Sequence, residues 1–234
     1  MIIKLLPLFL VILFFYLSFI YSSKANSQKL KQNSVPLKDP IFQLHLDSFC
    51  KALNLHHLQI KILNDRQING LVAPDGTIYI TQGFFDKYNS GQVSSAEIAS
   101  VIAHELGHLA LGHTKKRMVT FSAISALTFA LSTFLSRIVP YLGSIIGRHL
   151  SQLILAGLSR KDEFEADAYA SALLVKTGIG IVPQISLLEK INTLTGAITP
   201  KITWTMSHPS PIERVKAIKK LASSWVTQDS KGQN

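Results

Sequence analysis

The chain has 234 residues and a formal charge of +10, with 24 Lys and Arg against 14 Asp and Glu. That length suits one domain with a real core rather than two, and the single cysteine, Cys50, excludes an internal disulfide framework. The basic surplus favours anionic surfaces, but there is no zinc-finger spacing and no basic stretch interleaved with aromatics, which argues against nucleic acid as a partner.

In chain order, Lys4 precedes an uncharged apolar run from Leu5 to Ser23, followed by Ser23-Lys24-Ala25. Residues 1–25 have the layout of a secretory signal peptide, or of a membrane anchor if retained, since a run of roughly 20 residues spans a bilayer. Residues 26–38 are polar and Lys-rich and read as a linker. Asp39-Pro40 opens a helix, with Asp39 as its cap. The expected buried stripe is Ile41, Leu44, Ser48 and Ala52, with Phe49 and Leu53, and Cys50 is a small hydrophobe of the same helix.

Leu58 to Leu63 reads as a strand, Asn69-Gly70 and Pro74-Asp75-Gly76 as turns, and Thr77 to Thr81 as a second strand. Ser94 to Leu111 is the clearest helix. It opens on a capping box of Ser94 and Glu97 and stops at Gly112. Residues 118–158 are strongly apolar but interrupted by Arg137 and Arg148. They read as buried or interfacial helices in preference to a membrane hairpin, because the arginines leave no clean span of standard length. Lys161 to Lys176 and Pro183 to Leu194 are helices. Ser210-Pro211-Ile212-Glu213 opens the last one, with a stripe of Ile212, Val215, Ile218 and Leu221. The polar tail is expected to be disordered, and the folded domain runs from 39 to 225 with 226–234 beyond it.

The chemistry concentrates in two places. His104-Glu105-Leu106-Gly107-His108 lies inside the best helix. Four residues turn a helix by about 400°, so the two imidazoles point the same way and can share one tetrahedral ion, with Glu105 beside them. A third protein ligand is then needed. His113 does not supply it: five residues beyond His108 it lies about 140° further round the helix, and it reads as a helix-end cation. Glu163 and Asp167 lie one turn apart on one helix face. Glu163 can ligate the ion, and Asp167 can accept a hydrogen bond from the other ring nitrogen of a ligand histidine. Taken alone, the same pair is an ordinary acidic helix start. Glu165 points elsewhere, to solvent or to Arg160 or Lys161.

The ordered set Val101 to His108, Ser159-Arg160 with Glu163 and Ala166-Asp167, then His208-Pro209 with Arg214, resembles the gluzincin-type zinc peptidases that include HtpX, the BepA-like proteases, Oma and the CAAX prenyl proteases. Asn69-Gly70 and the strand of Gly76 to Gly83 are similar to the segment preceding that family's metal helix. The match covers roughly residues 40 to 222 and is closest to the exported, soluble BepA-like members. It implies a mainly α (α+β) zincin-like fold, helical with a small antiparallel sheet, and one Zn2+ per chain held by His104, His108 and Glu163. Glu105 would be the catalytic acid/base.

The resemblance also places His208 near the site, where it could donate to the oxyanion, occupy the fourth zinc position in a closed state, or be a loop histidine. Arg214 either holds a carboxylate or bridges helices, the second being favoured. An extended substrate is expected beside Thr77, Ile78, Tyr79, Ile80 and Thr81 by β-augmentation. The expected activity is hydrolysis of unfolded or misfolded envelope proteins. The setting is the periplasm or the inner-membrane surface, with membrane association through residues 5–23 and 118–158. The competing reading is a zinc-bearing, non-catalytic chaperone. An intramembrane protease is disfavoured because Arg160 to Asp167 is too charged for lipid.

Overall fold

The computed structural model describes residues 2–73, 75–113, 115–117, 119–120, 123–124, 127–128, 133, 142–194 and 209–231. Its elements are α1 (Ile2–Gln32), β1 (Ser34–Pro36), α2 (Pro40–Leu53), β2 (Ile60–Leu63), β3 (Gly70–Val72), β4 (Ile78–Thr81), α3 (Gln82–Asn89), α4 (Ser95–Ala110), α5 (Leu142–Lys176), α6 (Val182–Leu194) and α7 (Pro211–Lys231). The architecture is mainly α with one small sheet, as the sequence predicts.

The sheet has the order β1-β2-β4-β3. It is mixed rather than antiparallel, because β2 and β4 run parallel, Ile60 opposite Ile78, while β1 and β3 are antiparallel edges. A parallel pair cannot be closed by a hairpin, so the chain between them must cross over. Residues 64–77 do this and supply β3 on the way, where Asn69-Gly70 had suggested only a turn. The stretch read as a linker is ordered too: α1 continues to Gln32 and Ser34–Pro36 pairs with β2.

α4 is the central element. Twelve consecutive residues, Glu97 to His108, are buried. Its neighbours are α2, β3, β4, α5 and α6. The core around it joins Phe42, Leu46 and Phe49 of α2 with Ile60, Ile78 and Ile80 of the sheet and Phe84 of α3, which no sequence signal had marked. Ile98, Ile102 and Leu106 of α4, and Leu173 and Leu174 of α5, complete it. Each of these side chains contributes about 1.5–3 kcal/mol by burial. The buried stripe of α2 is therefore Phe42, Leu46 and Phe49, spaced i, i+4, i+7, while Ile41 and Leu44 face outward. The larger aromatic rings take the core side because they remove more apolar area from water.

The ends of α4 are fixed as predicted. Ser94 Oγ accepts from the Glu97 N–H, and the Glu97 carboxylate accepts from the Ser94 N–H at 2.7 Å. Gly112, at φ +65, turns the chain out of the helix. The Glu97 carboxylate also receives Ser186 Oγ at 2.8 Å and Lys190 Nζ at 2.7 Å, tying α6 to the start of α4. At α7 the equivalent box is replaced: Glu213 pairs with Arg160 at 2.6 Å. Val215 and Ile218 pack on Leu188 as expected, while Ile212 is 79% exposed. α7 continues to Lys231, through much of the predicted tail. α5 begins at Leu142, inside the apolar segment 118–158, most of whose side chains lie outside the described residues. Among the described residues, no helix is long and apolar enough to cross a membrane.

Burial opposes ionisation of Glu97, but Lys190, the Ser94 N–H and the Ser186 hydroxyl outweigh it and hold the carboxyl below its usual range. A depressed folded pKa contributes stability that is present at neutral pH and lost as pH falls through the carboxylate range. Glu97→Gln is expected to lower unfolding free energy by about 1 kcal/mol at about pH 7. In urea titrations the gap to wild type should narrow towards about pH 3.

Candidate metal centre

His104 and His108 lie one turn apart on α4, their rings edge-to-face at 88° with centroids 4.7 Å apart. The two Nε2 atoms are 3.2 Å apart. Glu163 reaches them from α5 because the two helices cross very closely. A Cβ on Gly107 would lie 3.0 Å from both Cα and O of Ala166 and 3.2 Å from Tyr169 Cβ. A side chain there would force the two backbones apart by a few tenths of an ångström, and the crossing sets how far Glu163 must reach. Glu163 Oε2 is 3.2 Å from His104 Nε2, and Oε1 is 3.3 Å from His108 Nε2.

These three separations have a physical meaning. A tetrahedral ion with bonds of about 2.0–2.1 Å holds its ligand atoms about 3.3 Å apart along each edge. The separations of 3.2, 3.2 and 3.3 Å, with one Glu163 oxygen towards each histidine, are of that size. His104, His108 and Glu163 are all buried and can together hold a metal ion. The site also calls for positive charge. Burial works against a charge on His104, but its hydrogen bonds to Asp167 and Glu163 overcome this and raise its pKa to about 9. A proton or a metal ion meets that demand.

Asp167 stands where the sequence reading expects it. Its Oδ1 is 3.0 Å from His104 Nδ1, and the ring's Nε2 faces the centre. Arg214 grips the same carboxylate with both arms, Nε donating to Oδ2 and Nη2 to Oδ1, each at 2.7 Å. Arg214 thus holds a carboxylate of the site and by doing so binds α7 to α5, where helix bridging alone had been favoured. Gln184 of α6 donates to the Asp167 backbone carbonyl at 3.2 Å and is itself held by Ser171 at 2.7 Å. Burial opposes the Asp167 charge, yet Arg214 and His104 hold the carboxyl far below the usual carboxylate range.

Glu105 is buried beside the two histidines, and among the described residues its carboxylate has no hydrogen-bond or ion-pair partner. It faces β3: a Cβ on Gly70 would lie 3.6 Å from Glu105 Oε1. His208 lies outside the described residues.

Three further residues belong to this neighbourhood. Arg117 donates to Asp162 Oδ2 at 2.9 Å and to the Glu163 carboxylate at 3.2 Å. Lys116 reaches Asp162 at 3.3 Å. The complementary runs Lys115-Lys116-Arg117 and Asp162-Glu163 were the available signal. His113 is a correction. It is buried rather than a helix-end cation, its Nδ1 2.9 Å from His108 Nδ1 and its Nε2 3.1 Å from Glu165 Oε2. Burial outweighs the neighbouring carboxylates and pushes its pKa down, towards the neutral imidazole. Glu165 meets Lys161 at 3.5 Å, as one sequence alternative had it.

The substrate strand is a second correction. Thr77, Ile78, Tyr79, Ile80 and Thr81 are all buried, and β4 is paired on both sides, with β2 and with β3. A strand with two neighbours has no free backbone groups for a third. Among the described residues, the unpaired edge beside α4 belongs to β3.

Removing Arg214 leaves Asp167 buried with its strongest partner gone. Arg214→Met is expected to destabilise the fold by about 3 kcal/mol, because a buried charge loses its counter-ion. Arg214→Lys should recover only part of this in equilibrium denaturation, since one ammonium cannot make the two-armed contact.

Comparison with known proteins places this geometry. Residues 36–222 match the model of peptidase family M48. The chain is similar to metalloprotease YcaL of Escherichia coli, 30% identical over 191 residues, covering 80% of this chain and 72% of YcaL. Metalloprotease LoiP of the same organism is 26% identical over 71% of this chain and 64% of LoiP. The mitochondrial metalloendopeptidase OMA1 of Schizosaccharomyces pombe is 24% identical over 68% of this chain and 45% of its own length. A family match over most of the chain, with the metal-binding geometry inside it, shows that the chain belongs to peptidase family M48 and is a metallopeptidase of that family.

Proposed function

We propose that the chain is a zinc-dependent endopeptidase acting on unfolded polypeptide, with His104, His108 and Glu163 as zinc ligands and Glu105 as general base. The observation that carries this is the cluster of two buried histidine nitrogens and a buried carboxylate at ligand spacing, with the buried Glu105 beside it. Two imidazole nitrogens and one carboxylate are a donor set that suits zinc, which would keep a fourth position for reactants. Zinc held there acidifies a water and polarises the scissile carbonyl. Glu105 takes the proton from the attacking water and delivers it to the leaving amine. Asp167 fixes His104 in the tautomer that ligation needs, and Arg214 keeps Asp167 ionised.

The substrate pairs with the free edge of β3, where Gly70 lets the backbone lie close to Glu105. Main-chain pairing reads extended backbone more than side chains, so broad specificity follows. The proposed substrates are misfolded envelope proteins. Support for a place at a membrane surface comes from α1, which exposes Phe9, Leu10, Phe14, Tyr16 and Leu17, and from the basic surplus of the chain.

The test uses the full chain, unfolded casein and metal analysis. Wild type is expected to hold one zinc and to cleave. Glu105→Gln should keep the zinc while turnover falls about 10²–10⁴-fold. Glu163→Ala should lose the zinc. A Glu105→Gln variant that cleaves like wild type sinks the general-base role, and a wild type that binds zinc but cleaves nothing favours a zinc-bearing chaperone.

The edge strand has its own test. A Cβ on Gly70 would meet Val101 Cγ1 at 2.6 Å, so Gly70→Val must push β3 away from α4. Peptide turnover is expected to fall at least about tenfold with zinc content unchanged.

A further inference from the structure

We infer that His113 is a positioning residue for the metal centre: it accepts the Nδ1 proton of His108 and passes the constraint on to Glu165, so that His108 keeps its Nε2 lone pair aimed at the ion. This rests on the reading that His104, His108 and Glu163 hold zinc.

The argument begins from the tautomer. A histidine that ligates through Nε2 must carry its proton on Nδ1. For His104 that proton has a carboxylate to go to, Asp167 at 3.0 Å. For His108 the atom facing Nδ1 is a second ring nitrogen, His113 Nδ1 at 2.9 Å, and both rings are buried. One proton serves a contact between two nitrogens. With Nε2 of His108 committed to the ion, His108 must donate and His113 must accept. A neutral His113 then carries its own proton on Nε2, and that atom faces Glu165 Oε2 at 3.1 Å, with Asp162 Oδ1 at 3.9 Å. Every proton in the chain His108, His113, Glu165 has one donor and one acceptor.

His113 and Glu165, together with Asp162, also have the spacing of a second metal cluster. The surroundings exclude that use while the first site is filled. Lys116 and Arg117 already neutralise Asp162, and Lys161 lies 3.5 Å from Glu165. Ligation through His113 Nε2 would move its proton to Nδ1, facing His108. His108 would then have to give up its one remaining ring proton and become an anionic imidazolate. The two ligand histidines are thus held by different means, His104 by a carboxylate locked to Arg214, His108 by a neutral ring backed by a half-exposed glutamate.

The experiment measures zinc affinity of the full chain by chelator competition, with circular dichroism to check folding. The variants are His113→Phe, which removes the acceptor, and His113→Gln, whose side-chain carbonyl can still accept. Glu163→Ala serves as the control for the metal site itself. His113→Phe is expected to bind zinc about 10–100-fold more weakly, the usual effect of losing a hydrogen-bond partner of a ligand histidine, and His113→Gln within about threefold of wild type. In the zinc-loaded wild type, nitrogen NMR of the imidazoles should show His113 protonated at Nε2 and His108 at Nδ1.

A folded His113→Phe with wild-type zinc affinity overturns the inference, as does a His113 protonated at Nδ1. A second zinc per wild-type chain, lost in His113→Phe, overturns it in favour of a second metal site. If Glu163→Ala binds zinc like wild type, the metal-site reading fails instead. Should His113→Phe not fold, the His113→Gln affinity and the wild-type tautomers decide.

Discussion

Everything at the centre depends on how closely α4 and α5 can approach. Gly107 lies against the backbone of Ala166, and a Cβ there would meet that backbone at 3.0 Å and press the helices apart. With the helices this close, Glu163 lies one turn before the contact and Asp167 just after it, so one side of α5 offers a carboxylate to each ring nitrogen of His104. A wider crossing would lengthen both contacts at once and draw Glu163 away from the histidines. Glycine between the two histidines therefore serves packing, and the geometry of the candidate site is inherited from it.

That constraint places charged groups where water is scarce, and the surrounding helices answer it. α7 contributes Arg214 and α6 contributes Gln184, both buried and both directed at Asp167. The segment beyond Gly112 contributes Lys116 and Arg117 to Asp162 and Glu163. Asp162, Glu163 and Asp167 thus each meet a cation from a different element, as the low dielectric of an interior requires. The arrangement couples assembly to the site: α5 and α7 are joined by Arg214 as much as by apolar contact.

The metal helix was legible in the sequence because its information is local. A capping box, a run of apolar residues and two histidines four apart all state the same helical period. Glu163 and Asp167 were legible for the same reason, as an i, i+4 pair. What was missed depends on three-dimensional context. β3 is a three-residue edge strand containing Gly70, and so short a strand carries no period of its own. In α2 two stripes have helical spacing, and only the core shape selects Phe42, Leu46 and Phe49 over Ile41 and Leu44. His113 was misplaced because its angle was counted as if the helix ran on, whereas Gly112 at φ +65 turns the chain and brings the ring back against His108. The choice of β4 as substrate strand failed because pairing partners are not written in a strand's own composition.

The shortness of β3 has a consequence for selection among substrates. An edge of three residues, Gly70 to Val72, offers only a few main-chain hydrogen bonds, too few to pull a strand out of a folded neighbour. On the proposed reading a client must present its extended backbone by its own fluctuation, and the cost of that opening adds directly to the barrier for cleavage. A segment that opens at a cost of about 4 kcal/mol would be cut about a thousandfold more slowly than the same segment in an unfolded chain. The filter between damaged and intact proteins then resides in the client's local stability, and the enzyme needs no side-chain code to apply it.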